Sequence, residues 1–282
     1  MIPLSFNQEA LASKVSWCGM THVGNVRKNN EDAFLAITLN ARDFHYLGKT
    51  GAESFDMGDF VFAVSDGMGG ANAGEFASRI AVEKITKLLP KAFRGMASGL
   101  SAGFVDIFEE LYGEINRALN YLGSQYEECS GMGATLSLVW VAPGWLYFAH
   151  IGDSRLYYFP KEGAMKQLSE DHSHVGWLRR NGKITEREAR SHPMRFSINR
   201  ALGAGHQFVS PQVGAVGYQP GDRFLLCTDG ITDGLWDRQL AQLLQEPEPQ
   251  EAVVVPSQRL IDATLERSGK DNLTALVIEF LE

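Results

Sequence analysis

GATLSLVWVAPGWLYFAHIGDSRLYYF, residues 133–159, is the stretch on which the fold turns. It holds three apolar runs rich in Val, Leu, Trp, Tyr and Phe: Gly133 to Trp140, Trp145 to Ile151 and Arg155 to Phe159. Turn residues such as Ala142-Pro143-Gly144 bound them, so they read as strands. Links this short join antiparallel neighbours, because a parallel crossover needs a dozen or more residues. Downstream, Val209 to Val216 and Arg223 to Cys227 continue the series through the turn Gln219-Pro220-Gly221.

Working outward, two amphipathic helices precede this run. Gly74 to Leu89 places Phe76, Ile80, Ile85 and Leu88 near helical spacing. A second stripe runs through Phe104, Ile107, Phe108, Leu111, Ile115, Ala118 and Leu119. These apolar side chains are expected in the core. Earlier still, Ser16 to His22, Ala33 to Leu39 and Asp59 to Ser65 read as strands. The first two flank the polar loop HVGNVRKNNED, and Asn40 to Met57 reads as an irregular insertion or a long hairpin. After the strand run come helices at Gln239 to Leu244 and Glu251 to Arg267, then a last strand, Leu273 to Leu281. This order is not the alternation of a parallel sheet. It predicts an α+β fold of two packed antiparallel sheets with helix pairs outside. The first and last strands must then pair, making residues 1–282 one domain without repeats.

Composition narrows the function. The chain has 282 residues, 44% apolar and 21% charged, enough to bury a sizeable core. A net charge of −8 and pI of 5.4 argue against general binding to nucleic acid or anionic membranes. No apolar run approaches the ~20 residues of a membrane span. The start, MIPLSFNQEALASK, lacks a basic flank followed by an apolar core and reads as a poor signal peptide. The three cysteines, Cys18, Cys129 and Cys227, show no zinc spacing; Cys18 and Cys227 sit in apolar runs and read as buried thiols. A cytoplasmic protein is expected, monomeric by default.

Four acids mark strand ends. Asp66, Asp153 and Asp229 leave the runs FVFAVSDGMGG, YFAHIGDSR and FLLCTDG, and Asp271 enters KDNLTALVI. Singly, each reads as a turn or a cap. Together they would form an oxygen-lined cup for hard divalent cations. No HExxH or paired histidine accompanies them, so the donors favour Mg²⁺ or Mn²⁺ over Zn²⁺. Arg27, five residues before Asp32, reads either as a solvated surface residue or as a grip for phosphate.

At this point eight ordered motifs become recognisable: GNVRKNNEDAF, SDGMGGANAGEFAS, GMGATL, AHIGDSRLYYF, LSEDHS, SHPMRFSINRALG, LLCTDGITD and KDNLTALVI. Together, from about Trp17 to Phe280, they resemble the bacterial branch of the protein phosphatase 2C family, the metal-dependent serine/threonine phosphatases. The resemblance implies a four-layer α-β-β-α sandwich with two Mn²⁺ or Mg²⁺ ions between the sheets and a weaker third. It implies that Asp66 bridges both metals, that the Gly67 carbonyl holds the second, and that Asp229 and Asp271 hold the first. Asp153 matches an acid that helps hold the third, Glu31 and Asp32 match acids acting through bound waters, and Arg27 matches the phosphate-binding arginine. The implied activity is hydrolysis of phosphoserine or phosphothreonine by a water held between the metals, without a phosphoenzyme. Phosphorylated proteins, opposed by a Ser/Thr kinase, are the implied partners. The alternative is a catalytically idle regulator that binds a phosphoprotein; a nuclease using the same metals is disfavoured by the acidic balance.

The sequence departs from the family at one place. Many relatives carry histidine where Met68 or Ala71 stands, so the usual proton donor to the leaving group is missing. Metal-bound water is the first candidate and a histidine from elsewhere the second. Ser169 to Gly203 resembles the family's flap and carries Arg179, Arg180, Lys183, Arg187, Arg190, Arg195 and Arg200. These read either as a solvated face salt-bridged to Glu186 and Glu188, or as guides for a phosphoprotein.

Overall fold

The apolar runs at both ends of the chain pair with each other. In the computed structural model, which describes residues 12–40, 43–69, 73–97 and 103–282, β1 (Lys14–His22) lies antiparallel to β14 (Leu273–Leu281) along its whole length. The leader reading of the first residues falls largely, and Ala71 wholly, outside the described residues. Between β1 and β14 come β2 (Asp32–Leu39), β3 (Phe44–Tyr46), β4 (Thr50–Ser54) and β5 (Asp59–Met68). Helices α1 (Ala73–Ala97) and α2 (Phe104–Gln125) follow, then β6 (Gly133–Ala134), β7 (Leu136–Ala142), β8 (Trp145–Ile151), β9 (Arg155–Phe159) and β10 (Lys166–Gln167). Next are α3 (His174–Arg180), α4 (Glu186–Ser191), β11 (Leu202–Gly203), β12 (Gln212–Gly217) and β13 (Arg223–Cys227). Helices α5 (Asp229–Gly234), α6 (Asp237–Gln245), α7 (Pro249–Ala252) and α8 (Pro256–Arg267) precede β14.

One sheet has the order β10-β9-β13-β14-β1-β4; the other runs β3-β2-β5-β7-β8-β12, with β6 and β11 extending it beyond the end of β5. Each strand alternates its side chains between two cores. Phe60, Phe62 and Val64 meet Leu276, Ile278 and Phe280 between the sheets. Val61 and Ala63 face α1 and α2. Leu273, Ala275 and Val277 face α5, α6 and α8, with Cys18 and Cys227 beside them as buried free thiols. Three cores make four layers, α-β-β-α, as the motifs imply. Strands covered on both faces lose the apolar–polar alternation, which is why they read as continuous apolar runs.

Four local expectations are corrected. Short turns do not all join sheet neighbours: Gln219-Pro220-Gly221 carries the chain from β12 in one sheet to β13 in the other, as Gly152 to Ser154 does between β8 and β9. The first crossing is held by Asp222, which accepts from the Gln219 N–H at 3.0 Å, the Lys161 N–H at 2.8 Å and the Tyr158 hydroxyl at 2.8 Å. Residues Asn40 to Met57 are not a hairpin, because β3 pairs with β2 while β4 pairs with β1 in the opposite sheet. Phe76 is 54% exposed, whereas Ile85 is buried as expected; beside it α1 buries Ala73, Ala77, Ala81 and Leu89, the alanines letting it lie close to β5. The expected helix from Glu251 is interrupted, because Pro256 has no N–H to give a continuing helix and starts α8 afresh. Among the described residues no helix is long and apolar enough to cross a membrane.

Candidate active site

The carboxylates singled out by sequence stand at one end of the sandwich, each on a different strand end. Asp32 opens β2 and pairs in register with Asp66 on β5. Asp153 lies in the β8–β9 crossing, Asp229 begins α5 directly after β13, and Asp271 precedes β14. Burial raises the proton affinity of Asp66 well above the ordinary carboxylate range, and Asp32, Asp229, Asp153 and Asp271 add to it by repulsion. Asp229 is raised in the same way, by burial and then by Asp153, Asp233 and Asp271. Burial carries Asp153 to about 7, assisted by Asp171. Asp32 also reaches about 7 through burial, although Thr274 and Thr228 oppose the shift. Their hydroxyls donate to Asp32 Oδ2 at 2.7 and 2.8 Å, while Asp32 Oδ1 is buried without a hydrogen-bond partner. Glu31 is raised more modestly by burial, with Arg27 acting against it.

Backbone approach explains Gly67. Its N–H donates to the Glu31 carbonyl at 3.1 Å, and a Cβ there would stand 1.9 Å from the Gly74 carbonyl of α1. Any side chain would push α1 away from β5. Gly152, beside Asp153, has φ of 109°, and a Cβ would lie 2.5 Å from the Thr135 methyl.

Arg27 reaches across to Asp271, with Nη2 2.8 Å from Oδ2, and its side chain remains 52% exposed. The loop bearing it is fastened by Asn272. That amide accepts the Glu31 N–H at 2.8 Å and donates to the carbonyls of Val23 and Asn29, each at 2.9 Å. Sequence reasoning did not assign Asn272 this fastening role, although it stands inside the quoted KDNLTALVI. It also missed Asp233, which burial raises and whose charge acts on both Asp153 and Asp229.

Thr135 is a third omission. Its hydroxyl accepts the Asp66 N–H at 2.9 Å and meets the buried Ser154 hydroxyl at 2.7 Å, while its own N–H donates to the Asp66 carbonyl at 2.8 Å. One side chain thus ties the Asp66 strand to the Asp153 turn. Thr135→Val leaves both partners unsatisfied and is expected to lower stability by ~1–3 kcal/mol, with Thr135→Ser close to wild type, in urea unfolding. Equal losses in the two variants would show that packing, not the hydroxyl, matters.

Met68 ends β5 opposite Gly133. His150 and His172 lie behind the Asp153 turn, their rings 5.1 Å apart. Burial lowers them to about 4 and about 3, so near neutrality neither is an imidazolium able to protonate a leaving group. The flap arginines divide. Arg179 pairs with Asp237, and Arg180 binds Glu170 at 3.1 Å and the Asp171 carbonyl at 2.9 Å. Arg190 pairs with Glu186 and also donates to the carbonyls of Asp233 and Leu235. Glu188 caps α4 at Thr185 rather than pairing with an arginine. Arg179 and Arg180 therefore hold the flap to the fold, and their charges are not free to guide a substrate.

The donor set fits a hard cation: all the side-chain donors are oxygens, Asp32 is buried and the others partly buried, they repel one another, and one Asp32 oxygen is orphaned. Among the described residues no three His, Cys, Asp or Glu side chains are drawn into a finished ligand set.

These observations define a fold that known proteins share. The profile of the family described as Protein phosphatase 2C matches residues 42–282, and the chain belongs to that family. It is 33% identical to the serine/threonine protein phosphatase PstP of Mycobacterium tuberculosis over 262 residues, 92% of this chain. The chain spans 44% of the length of that relative. It is 31% identical over 220 residues to the serine/threonine phosphatase stp of Listeria innocua, covering 78% of this chain and 84% of the relative. Among solved structures, the serine/threonine phosphatase of S. agalactiae superposes with a TM-score of 0.77 at 28% identity, over 95% of this chain and 100% of that one. The PstP catalytic domain in complex with two manganese ions gives 0.72 at 29% identity, over 95% and 99%.

Proposed function

We propose that this chain is a metal-dependent protein serine/threonine phosphatase. The observation that carries the reading is the convergence of Asp32, Asp66, Asp153 and Asp229, each raising another's proton affinity, beside the exposed guanidinium of Arg27. Burying such a group of acids is costly unless cations neutralise it. In this reading Asp66, the Gly67 carbonyl, Asp229 and Asp271 would hold two Mn²⁺ or Mg²⁺ ions, with Asp66 shared, Gly67 serving the second and Asp229 and Asp271 the first. Asp153 would help hold a weaker third, and Glu31 and Asp32 would act through waters. When bound, the ions supply Lewis-acid charge and an activated water.

The chain's own residues do the rest. Thr228 and Thr274 fix the Asp32 carboxylate with one oxygen left to take a hydrogen bond. Arg27 uses the donors not spent on Asp271 to hold the phosphate oxygens. Residues 1–282 act as one phosphatase domain with a flap at 169–203, and the substrates are phosphoserine and phosphothreonine proteins made by a Ser/Thr kinase. Turnover of p-nitrophenyl phosphate and of a phosphothreonine peptide that requires added Mn²⁺ or Mg²⁺ tests the reading. Full turnover after exhaustive EDTA treatment would defeat it, and no turnover with Mn²⁺ would favour the idle regulator. Arg27→Ala is expected to raise KM for p-nitrophenyl phosphate roughly tenfold or more while bound metal is unchanged, as for loss of a hydrogen bond to a charged group. An unchanged KM would remove Arg27 from the phosphate.

A further inference from the structure

Arg195 stands apart from the other flap arginines around the acidic cavity. Arg179 and Arg190 are committed to carboxylates or carbonyls of the body, and Arg190 also stacks 4.2 Å from the Trp236 ring. Arg155 is locked to Asp171 by hydrogen bonds of 2.6–3.1 Å. Among the described residues Arg195 has no carboxylate within ion-pair distance. Its guanidinium instead lies 4.0 Å over the ring of Phe196, which is itself 60% exposed.

The pair lines the same cavity as Asp153, Asp229 and Asp233. The Arg195 charge reaches Asp233 there without forming a bond to it. A guanidinium stacked on an aromatic face keeps its edge donors in a fixed fork that matches a carboxylate. The surroundings make that fork consequential. The protein carries a net charge of −8, and the cavity is lined by Asp153, Asp229 and Asp233, which form no ion pair among the described residues, while Asp171 and Glu186 are matched by Arg155 and Arg190. A peptide carrying its own acidic side chains is repelled by such a surface unless a local cation receives them.

We propose that Arg195, supported by Phe196, is a specificity-determining subsite for an acidic side chain flanking the phosphorylated residue. The preferred substrates are then phosphopeptides with Asp or Glu beside the phosphoserine or phosphothreonine. The ring of Phe196 also offers apolar cover to the methylenes of that side chain. This rests on the phosphatase reading above.

The test compares two phosphothreonine peptides that differ only by Glu or Gln at the flanking positions, together with p-nitrophenyl phosphate. The wild type is expected to favour the Glu peptide by roughly fivefold in kcat/KM at low salt, the scale of one exposed charge pair, and by less at high salt. Arg195→Ala removes the preference through KM, with kcat and p-nitrophenyl phosphate turnover unchanged; Arg195→Lys restores part of it; Arg195→Glu reverses it. A wild type that does not distinguish the peptides, or a preference that survives Arg195→Ala, overturns the proposal. So does a change in Mn²⁺ affinity or p-nitrophenyl phosphate turnover in Arg195→Ala without a change in peptide preference, since Arg195 would then be a counter-charge for the cavity acids. If p-nitrophenyl phosphate is not hydrolysed with Mn²⁺, the phosphatase reading fails separately. Fluorescence anisotropy of the same two labelled peptides then decides whether the subsite exists.

Discussion

Asp66→Asn is expected to abolish phosphatase activity and, in the absence of metal, to melt at a higher temperature than the wild type. Both effects have one cause. Asp66 stands among Asp32, Asp153, Asp229 and Asp271, and burial together with their repulsion disfavours its charge. An amide of the same shape removes that repulsion, so the metal-free fold gains stability. It also removes the charge that would neutralise two cations at once, and metal charge stabilisation worth several kcal/mol is lost with it. A fall of roughly 10³-fold or more in kcat/KM is expected. A gain of ~1 kcal/mol would raise Tm by roughly 2–4 °C in a chain of this size. Calorimetry in EDTA checks the second effect. A variant that is inactive but no more stable than wild type would mean that the carboxylate crowding is relieved in solution.

The second large effect is a reversal of pH dependence by metal. Asp32 and Asp153 reach about 7 in the fold, against an ordinary value of 3.8. The folded, metal-free chain holds protons that the unfolded chain releases, so the stability they contribute is complete below 3.8 and lost as pH rises through 7. His150 and His172, lowered to about 4 and about 3, work the other way, but only below their ordinary 6.5. Between pH 6.5 and 8 the carboxylates set the slope. In EDTA the Tm should therefore fall from pH 6.5 to pH 8. Saturating Mn²⁺ should raise it more at pH 8, where the ligands are already ionised, by ~2.7 kcal/mol at a hundred times Kd. A metal-free Tm that rises or stays level over that interval would contradict the assignment of burial and repulsion to these acids.

The strands and both large helices were legible because apolar runs covered on two faces, and a regular stripe such as Ile107 to Leu119, leave little choice of conformation. The turn at Gln219-Pro220-Gly221 was not, because a five-residue link looks the same whether it joins neighbours or changes sheet. Which way it goes is decided by Asp222 and by partners 61 and 64 residues away. Phe76 misled for a related reason: helical spacing identifies a stripe but not which stripe faces the sheet, and alanines won through close approach. The strand-end acids were legible because charge ending an apolar run is conspicuous. Thr135, Thr228, Thr274 and Asn272 were not, because a hydroxyl or amide in a strand or at its end is ordinary in sequence and acquires its role only from what stands opposite.

The pairing of β1 with β14 carries a consequence for the order in which the protein can be made. Strand β14 lies inside its sheet, between β13 and β1, and its register runs from Lys14 opposite Leu281 to His22 opposite Leu273. During translation β1 can pair with β4 early, but its other flank must wait for roughly 250 further residues before β14 exists, on the order of tens of seconds at typical synthesis rates. The helices α1 and α2 can settle on β2, β5, β7 and β8 in the meantime. Asp271 is made after Asp66, Asp153 and Asp229, so a nascent chain whose first half has already folded still lacks part of the acidic cup.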